Sequence, residues 1–256
     1  SDYAHEELEY LSDKSNLIRV YPNELNDRID GGLIPGNSVL VFARPNTGKT
    51  QFAINLTRGF IRDGRRVLYL INEEPKRQLL SRMISRLTNK VRTEIYSDVD
   101  AAVKEAKKNG LDNFFLEDIN PGTFPQIRGL IEKVKPEILV IDQLRNLDVK
   151  SDTRVNQLET AATEARNLAK RYGIVVISMT QAGDSAHNKL ALEMNDVDFS
   201  NTGIPAQMDL MIGIGINQQF RDQNMRMISI AKNKITSDHS HFPVAVDEAL
   251  SKMVSV

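Results

Sequence analysis

Residues 43–50 read ARPNTGKT: a small residue, four intervening positions, then Gly48-Lys49-Thr50. Consecutive backbone N–H groups in such a loop, backed by a helix N-terminus, converge on an anion. The chemistry implied is the binding of a nucleoside triphosphate. Lys49 would reach its β- and γ-phosphates, and the Thr50 hydroxyl would ligate Mg²⁺. Ala43 stands where the usual pattern has Gly, and only a small side chain is needed there. Ala43, Arg44, Pro45, Asn46, Thr47, Gly48, Lys49, Thr50 and Gln51 form the candidate binding segment for ATP and its metal.

Three further groups complete a hydrolytic set. In ILVID, the acid ending the apolar run is Asp142. At the C-terminal end of a buried strand it would hold magnesium together with Thr50. In YLINEEP, Glu73 and Glu74 lie just past a second apolar run. Strand ends on one edge of a parallel sheet line the ligand crevice, so a Glu there is a general-base candidate. Glu73 is the favoured base, with Glu74 its solvated partner. VVISMTQ ends on Gln181, an amide placed to touch the γ-phosphate and report its loss.

The elements that position these groups alternate. SVLVFA (38–43), RRVLYLI (65–71), DNFFLED (112–118), EILVID (137–142) and GIVVISMT (173–180) read as strands. Helices are expected from Gly48 to about Arg62, from near Pro75, over 123–134, and from about Val155 to Tyr172. That alternation implies an α/β fold with a mostly parallel sheet covered on both faces. MDLMIGIGI (208–216), MRMISIAKNK (225–234) and HFPVAV (241–246) are closely spaced strands expected to extend the sheet in antiparallel fashion. YAHEELEYL (3–11) is a short amphipathic helix set apart from the core.

Composition sets the outer bounds. The chain has 256 residues with 33 Lys plus Arg against 34 Asp plus Glu, so no overall basic field advertises nucleic acid. Cysteine is absent, which excludes disulfides and thiol nucleophiles. No apolar run approaches the ~18–20 residues needed to span a bilayer, and the N-terminus lacks an apolar signal core. A cytoplasmic protein without a membrane role is expected.

Taken in order, ARPNTGKT, NEEP, ILVIDQL, ISMTQ, DFSNTGIPAQMDLMIGI and AKNKITSD resemble the successive motifs of the DnaB-type hexameric replicative DNA helicases, nearest in pattern to those of bacteriophages. The resemblance covers nearly the whole chain. It implies a RecA-like P-loop core over residues 17–256. Residues 1–16 would be a linker helix docking on a neighbouring subunit. It also implies an N-terminal domain in full-length members that this stretch does not include. ATP would bind between adjacent subunits of a homo-hexamer, with primase or other replisome proteins as partners. The family's trans-acting Lys-x-Arg pair reads here Lys232-Asn233-Lys234. A lysine neutralises γ-phosphate charge but lacks the bidentate fork of arginine, so Arg221 or Arg226 would have to compensate.

Single-stranded DNA would be met by two loops facing the central channel, with translocation 5′ to 3′. The stretch Arg145–Asn156 offers Arg145, Lys150 and Arg154 against Asp148 and Asp152. Ala182–Ser200 has one lysine against four acids, so contacts there would come from His187, Asn188, Lys189 and backbone N–H groups. Two other readings share the phosphate loop: a non-motor ATP switch of the clock-protein or RadA type, and a filament-forming recombinase.

Overall fold

Strand β1 (Ser38–Ala43) is buried along its whole length, as are β2 (Val67–Ile71) and β4 (Ile138–Asp142). Strands without a polar face need cover on both sides. The computed structural model, which describes residues 2–199 and 203–256, supplies that cover in two layers. Alternate residues point opposite ways along a strand. Val39, Val41, Tyr69 and Ile71 pack on one face with Phe52, Leu56 and Met83. Leu40, Phe42, Leu68 and Leu70 pack on the other with Ile127, Ile131, Leu158 and Ala165. The first layer comes mainly from α3 (Lys49–Arg62) and α4 (Lys76–Thr88), the second from α7 (Phe124–Val134) and α8 (Arg154–Tyr172). The short helix α2 (Asn23–Arg28) adds buried Leu25 to the first layer. Local signals set α8: the Thr153 side chain accepts from Asn156 N–H, and Gly173 closes the helix in the left-handed region at φ 59.

The nine strands of the described residues include β3 (Phe114–Asp118), β5 (Val175–Gln181), β6 (Leu210–Gly215), β7 (Met225–Asn233), β8 (His241–Asp247) and β9 (Lys252–Ser255). Their order is β3-β2-β4-β5-β1-β6-β7-β8-β9. The first six run parallel and the last three antiparallel. The sequence expectation needs one correction: β6 pairs with β1 in parallel, Val41 opposite Ile212. The long segment after β5 carries the chain back across the sheet, so the antiparallel extension begins only at β7. Strand β9 and the helices α5 (Arg92–Ser97) and α6 (Val99–Lys108) have no clear sequence signal. The hairpin of β8 and β9 lies against α3, where Gln51 Nε2 donates to Lys252 O at 2.9 Å and to Asp247 O at 3.2 Å.

Helix α1 (Asp2–Ser12) forms as expected and has no buried residue, with Tyr3 and Leu8 largely exposed. Among the described residues no helix is long and apolar enough to cross a membrane.

Candidate nucleotide-binding site

The sheet register brings the candidate residues together. Ile71 is opposite Asp142, Asp142 opposite Met179, and Gln181 opposite Ala43. The exits of β2, β4, β5 and β1 therefore form one row, and the segments that follow them converge. Beyond β1 the loop enters α3 through Gly48, whose φ of 110 lies where side chains are strained. A Cβ there would also meet Met253 Cε at 3.1 Å. Behind the loop, buried Arg226 donates from Nε to Thr47 O at 2.7 Å.

Lys49 is buried beside the strand exits, and burial lowers its pKa against the opposing pull of Asp142 and Glu73. Asp142 is buried too, and desolvation raises its carboxyl to about 6 despite the Lys49 charge. Its Oδ2 accepts from Thr50 Oγ1 and from the Tyr69 hydroxyl, each at 3.1 Å. Its Oδ1 is buried with no partner. A buried, orphaned carboxylate oxygen next to a threonine hydroxyl suits a hard divalent cation. Among the described residues no three His, Cys, Asp or Glu side chains converge as a cage. That fits Mg²⁺, which takes one or two protein ligands plus phosphate oxygens and water.

The two glutamates differ from expectation in one respect. Glu73 is exposed and accepts from Gln143 Nε2. Glu74 is the more buried of the two and pairs with Arg82 at 3.3 Å. Glu74 is therefore not a solvated partner: burial raises its pKa, and the Arg82 charge opposes the rise.

Gln181 ends β5, where Arg145 NH1 donates to its Oε1. Arg145 also lies 3.6 Å from Asp198, so its guanidinium is turned toward the nucleotide edge. Lys150 and Arg154 are exposed, as are His187 and Asn188. Lys189 is spent internally, 2.7 Å from buried Asp196 and 3.2 Å from Glu193. Ser200, at the end of the second loop, and Asn201 and Thr202 of the SNTGIPAQMD segment lie outside the described residues.

Lys232 and Lys234 do not reach this chain's own phosphate loop. Lys232 is opposite Met211 and Asn233 opposite Leu210, at the start of β6, while the phosphate loop follows the far end of β1. Lys232 donates to Pro205 O, and Lys234 is exposed in the turn after β7.

A cleft of about 580 Å³ joins the phosphate loop to Glu73, Glu74, Asp142 and Gln181, within the range typical of ligand sites. Its walls include Arg82, Arg92, Gln143 and Glu248, none of them singled out by the sequence, and Arg226. Tyr69 is hidden from a sequence reading for a plain reason: inside VLYLI it reads as core.

The family model for the DnaB-like helicase C-terminal domain matches residues 22–237. The chain belongs to that family. The replicative DNA helicase DnaB of Pasteurella multocida is 25% identical over 229 residues, covering 81% of this chain and 49% of that protein. The chain thus spans about half the length of the curated relative it matches. Among solved structures, the ATPase domain of a phage protein aligns over 100% of this chain and 98% of its own, with TM-score 0.83 and 18% identity. A DnaB-like replicative helicase, described with its interactions with primase, aligns over 100% of this chain and 66% of its own, with TM-score 0.82 and 18% identity. At that identity the likeness shows the fold, and the fold is that of the RecA-like DnaB ATPase domain.

Proposed function

We propose that this DnaB-like domain is an ATP-driven DNA motor that assembles as a homo-hexameric ring, translocates on single-stranded DNA and separates the duplex. The observation that carries it is the convergence of Lys49, Thr50, Glu73, Asp142 and Gln181 on one cleft from four parallel strand exits. In this reading the phosphate loop and Lys49 bind the triphosphate, and Thr50 and Asp142 hold Mg²⁺. The metal, when bound, supplies charge neutralisation at the phosphate oxygens. Glu73 takes the proton of the attacking water. Gln181 follows the γ-phosphate, and its bond to Arg145 carries that information to the loop that bears Lys150 and Arg154.

Lys232 and Lys234 act on the phosphate loop of a neighbouring copy, and helix α1 docks on that neighbour. DNA meets Lys150 and Arg154 first, with His187, Asn188 and the backbone N–H groups of the second loop. Lys189 contributes by holding that loop's shape. The setting is the cytoplasm, with primase or another replisome protein as partner.

The test is unwinding of labelled forks carrying only a 5′ or only a 3′ tail, with Mg·ATP and with Lys49→Ala as control. Separation that requires ATP, Lys49 and a 5′ tail is expected. Hydrolysis without separation would favour the non-motor switch.

A further inference from the structure

We propose that Gln143 is a positioning residue for hydrolysis, holding the Glu73 carboxylate so that one oxygen stays free to face the nucleotide. The inference rests on the assignment of Glu73 as the base. Its structural ground is the way the exits of β2 and β4 are tied. Asn72, the residue before Glu73, donates from Nδ2 to Gln143 O at 2.9 Å and accepts at Oδ1 from Gln143 N–H at 2.8 Å. Asn72 N–H also donates to Asp142 O at 3.1 Å. Both main chains are thereby fixed relative to one another where Glu73 and Gln143 leave the sheet.

From that fixed point the Gln143 side chain, 2% exposed, donates its Nε2–H to Glu73 Oε2. Among the described residues no cation lies within ion-pair distance of Glu73. Glu74, by contrast, is held by the Arg82 guanidinium. The chemistry of the two holders differs. A cation favours the ionised carboxylate strongly and weakens it as a base, whereas a neutral amide fixes orientation at smaller cost to basicity. Orienting a base through a third group is the logic by which nucleophile–base pairs are held in hydrolases. The tie therefore also explains why Glu73, and not its neighbour, is the available base.

The experiment compares Gln143→Leu and Gln143→Glu with the parent chain in steady-state ATP hydrolysis with single-stranded DNA. Binding of a non-hydrolysable analogue is measured alongside. Loss of orientation predicts a kcat about 10- to 100-fold lower, with KM for ATP and analogue affinity within about twofold of the parent, as expected when binding is spared. Gln143→Glu, which sets a like charge against Glu73, falls further. In a Glu73→Gln background, Gln143→Leu should add nothing to the residual loss, since both changes act through one group. An unchanged kcat, a rise in KM matching the loss, or full additivity would each overturn the proposal. Undiminished hydrolysis by Glu73→Gln alone would instead remove the base assignment, and the positioning role with it.

Discussion

The loop after β4 and the loop after β5 leave the same edge of the sheet from adjacent strands, yet they are held in opposite ways. The first keeps Lys150 and Arg154 exposed, with only Arg145 turned back to Gln181. The second is folded around a buried acid. Asp196, 1% exposed, accepts from Ser185 Oγ, Lys189 Nζ and Glu193 N–H, each at 2.7 Å. The same loop returns to the sheet through Ala182 N–H to Ala43 O at 2.9 Å and through a bridge between Ala182 and Val197. Leu190 O also packs so closely on Gly215 that a Cβ there would meet it at 1.8 Å. One loop offers charge and the other offers shape. The surplus of acid counted along the second loop is thus partly internal, which composition alone does not reveal.

That contrast can be broken most forcefully at Asp196. Asp196→Ala strips three donors of their acceptor and should cost about 3 kcal/mol of stability, read as a shift in urea midpoint. Hydrolysis without DNA should survive better than its stimulation by DNA. If stimulation is untouched, shape in the second loop is irrelevant to DNA. Removing the first loop's charges, with Lys150→Ala and Arg154→Ala together, should weaken single-stranded DNA binding about tenfold at low salt. It should also flatten the log–log salt dependence by about 1.4. Equal affinity at every salt concentration would leave that loop without a DNA role.

Lys189→Gln sharpens the comparison at smaller amplitude. Stability should fall by about 1 kcal/mol, because Asp196 loses its ionic partner, while DNA affinity changes less than twofold. A loss of affinity like that of the first-loop double variant would mean that Lys189 reaches DNA after all. The smallest effect is acid sensitivity. Although burial raises the pKa of Asp196, hydrogen bonds from Lys189, Glu193 N–H and Ser185 outweigh it, so the carboxyl sits below its ordinary value. Its stabilising contribution is present above the unfolded pKa near 4 and is lost as pH falls through the folded value. Exchange of the second-loop amides should therefore accelerate below about pH 4 relative to the first loop.

How much of this is legible in the sequence varies with the range of the interaction. The phosphate loop, Asp142 and Gln181 follow apolar runs, so their places at strand ends can be read from pattern alone. Helix α8 announces itself by periodicity and by Gly173. Strand β6 defeats the pattern because parallel and antiparallel pairing leave similar apolar runs. Glu74 escapes it because its partner, Arg82, lies well into the next helix, which pattern does not weigh. The roles of Tyr69, Gln143 and Arg226 depend on contacts between segments far apart in sequence, and no local signal carries them. Lys189 looks like a free cation because its carboxylate partner is hidden by folding.

The position of Lys234 has a consequence for how copies can associate. Its N–H binds Asp209 O, and Asp209 N–H binds Ser38 O at the beginning of β1. The phosphate loop begins after Ala43, about 16 Å away along a strand of that length. If Lys234 completes a nucleotide site, donor and acceptor patches are different surfaces of the molecule. Such a contact is head-to-tail and cannot be satisfied by a two-fold dimer. It propagates until it closes on itself or runs on as a filament. Complementation follows as a signature: mixing Lys49→Ala copies with Lys234→Ala copies should restore some hydrolysis, since the first can lend a lysine to the second's intact phosphate loop.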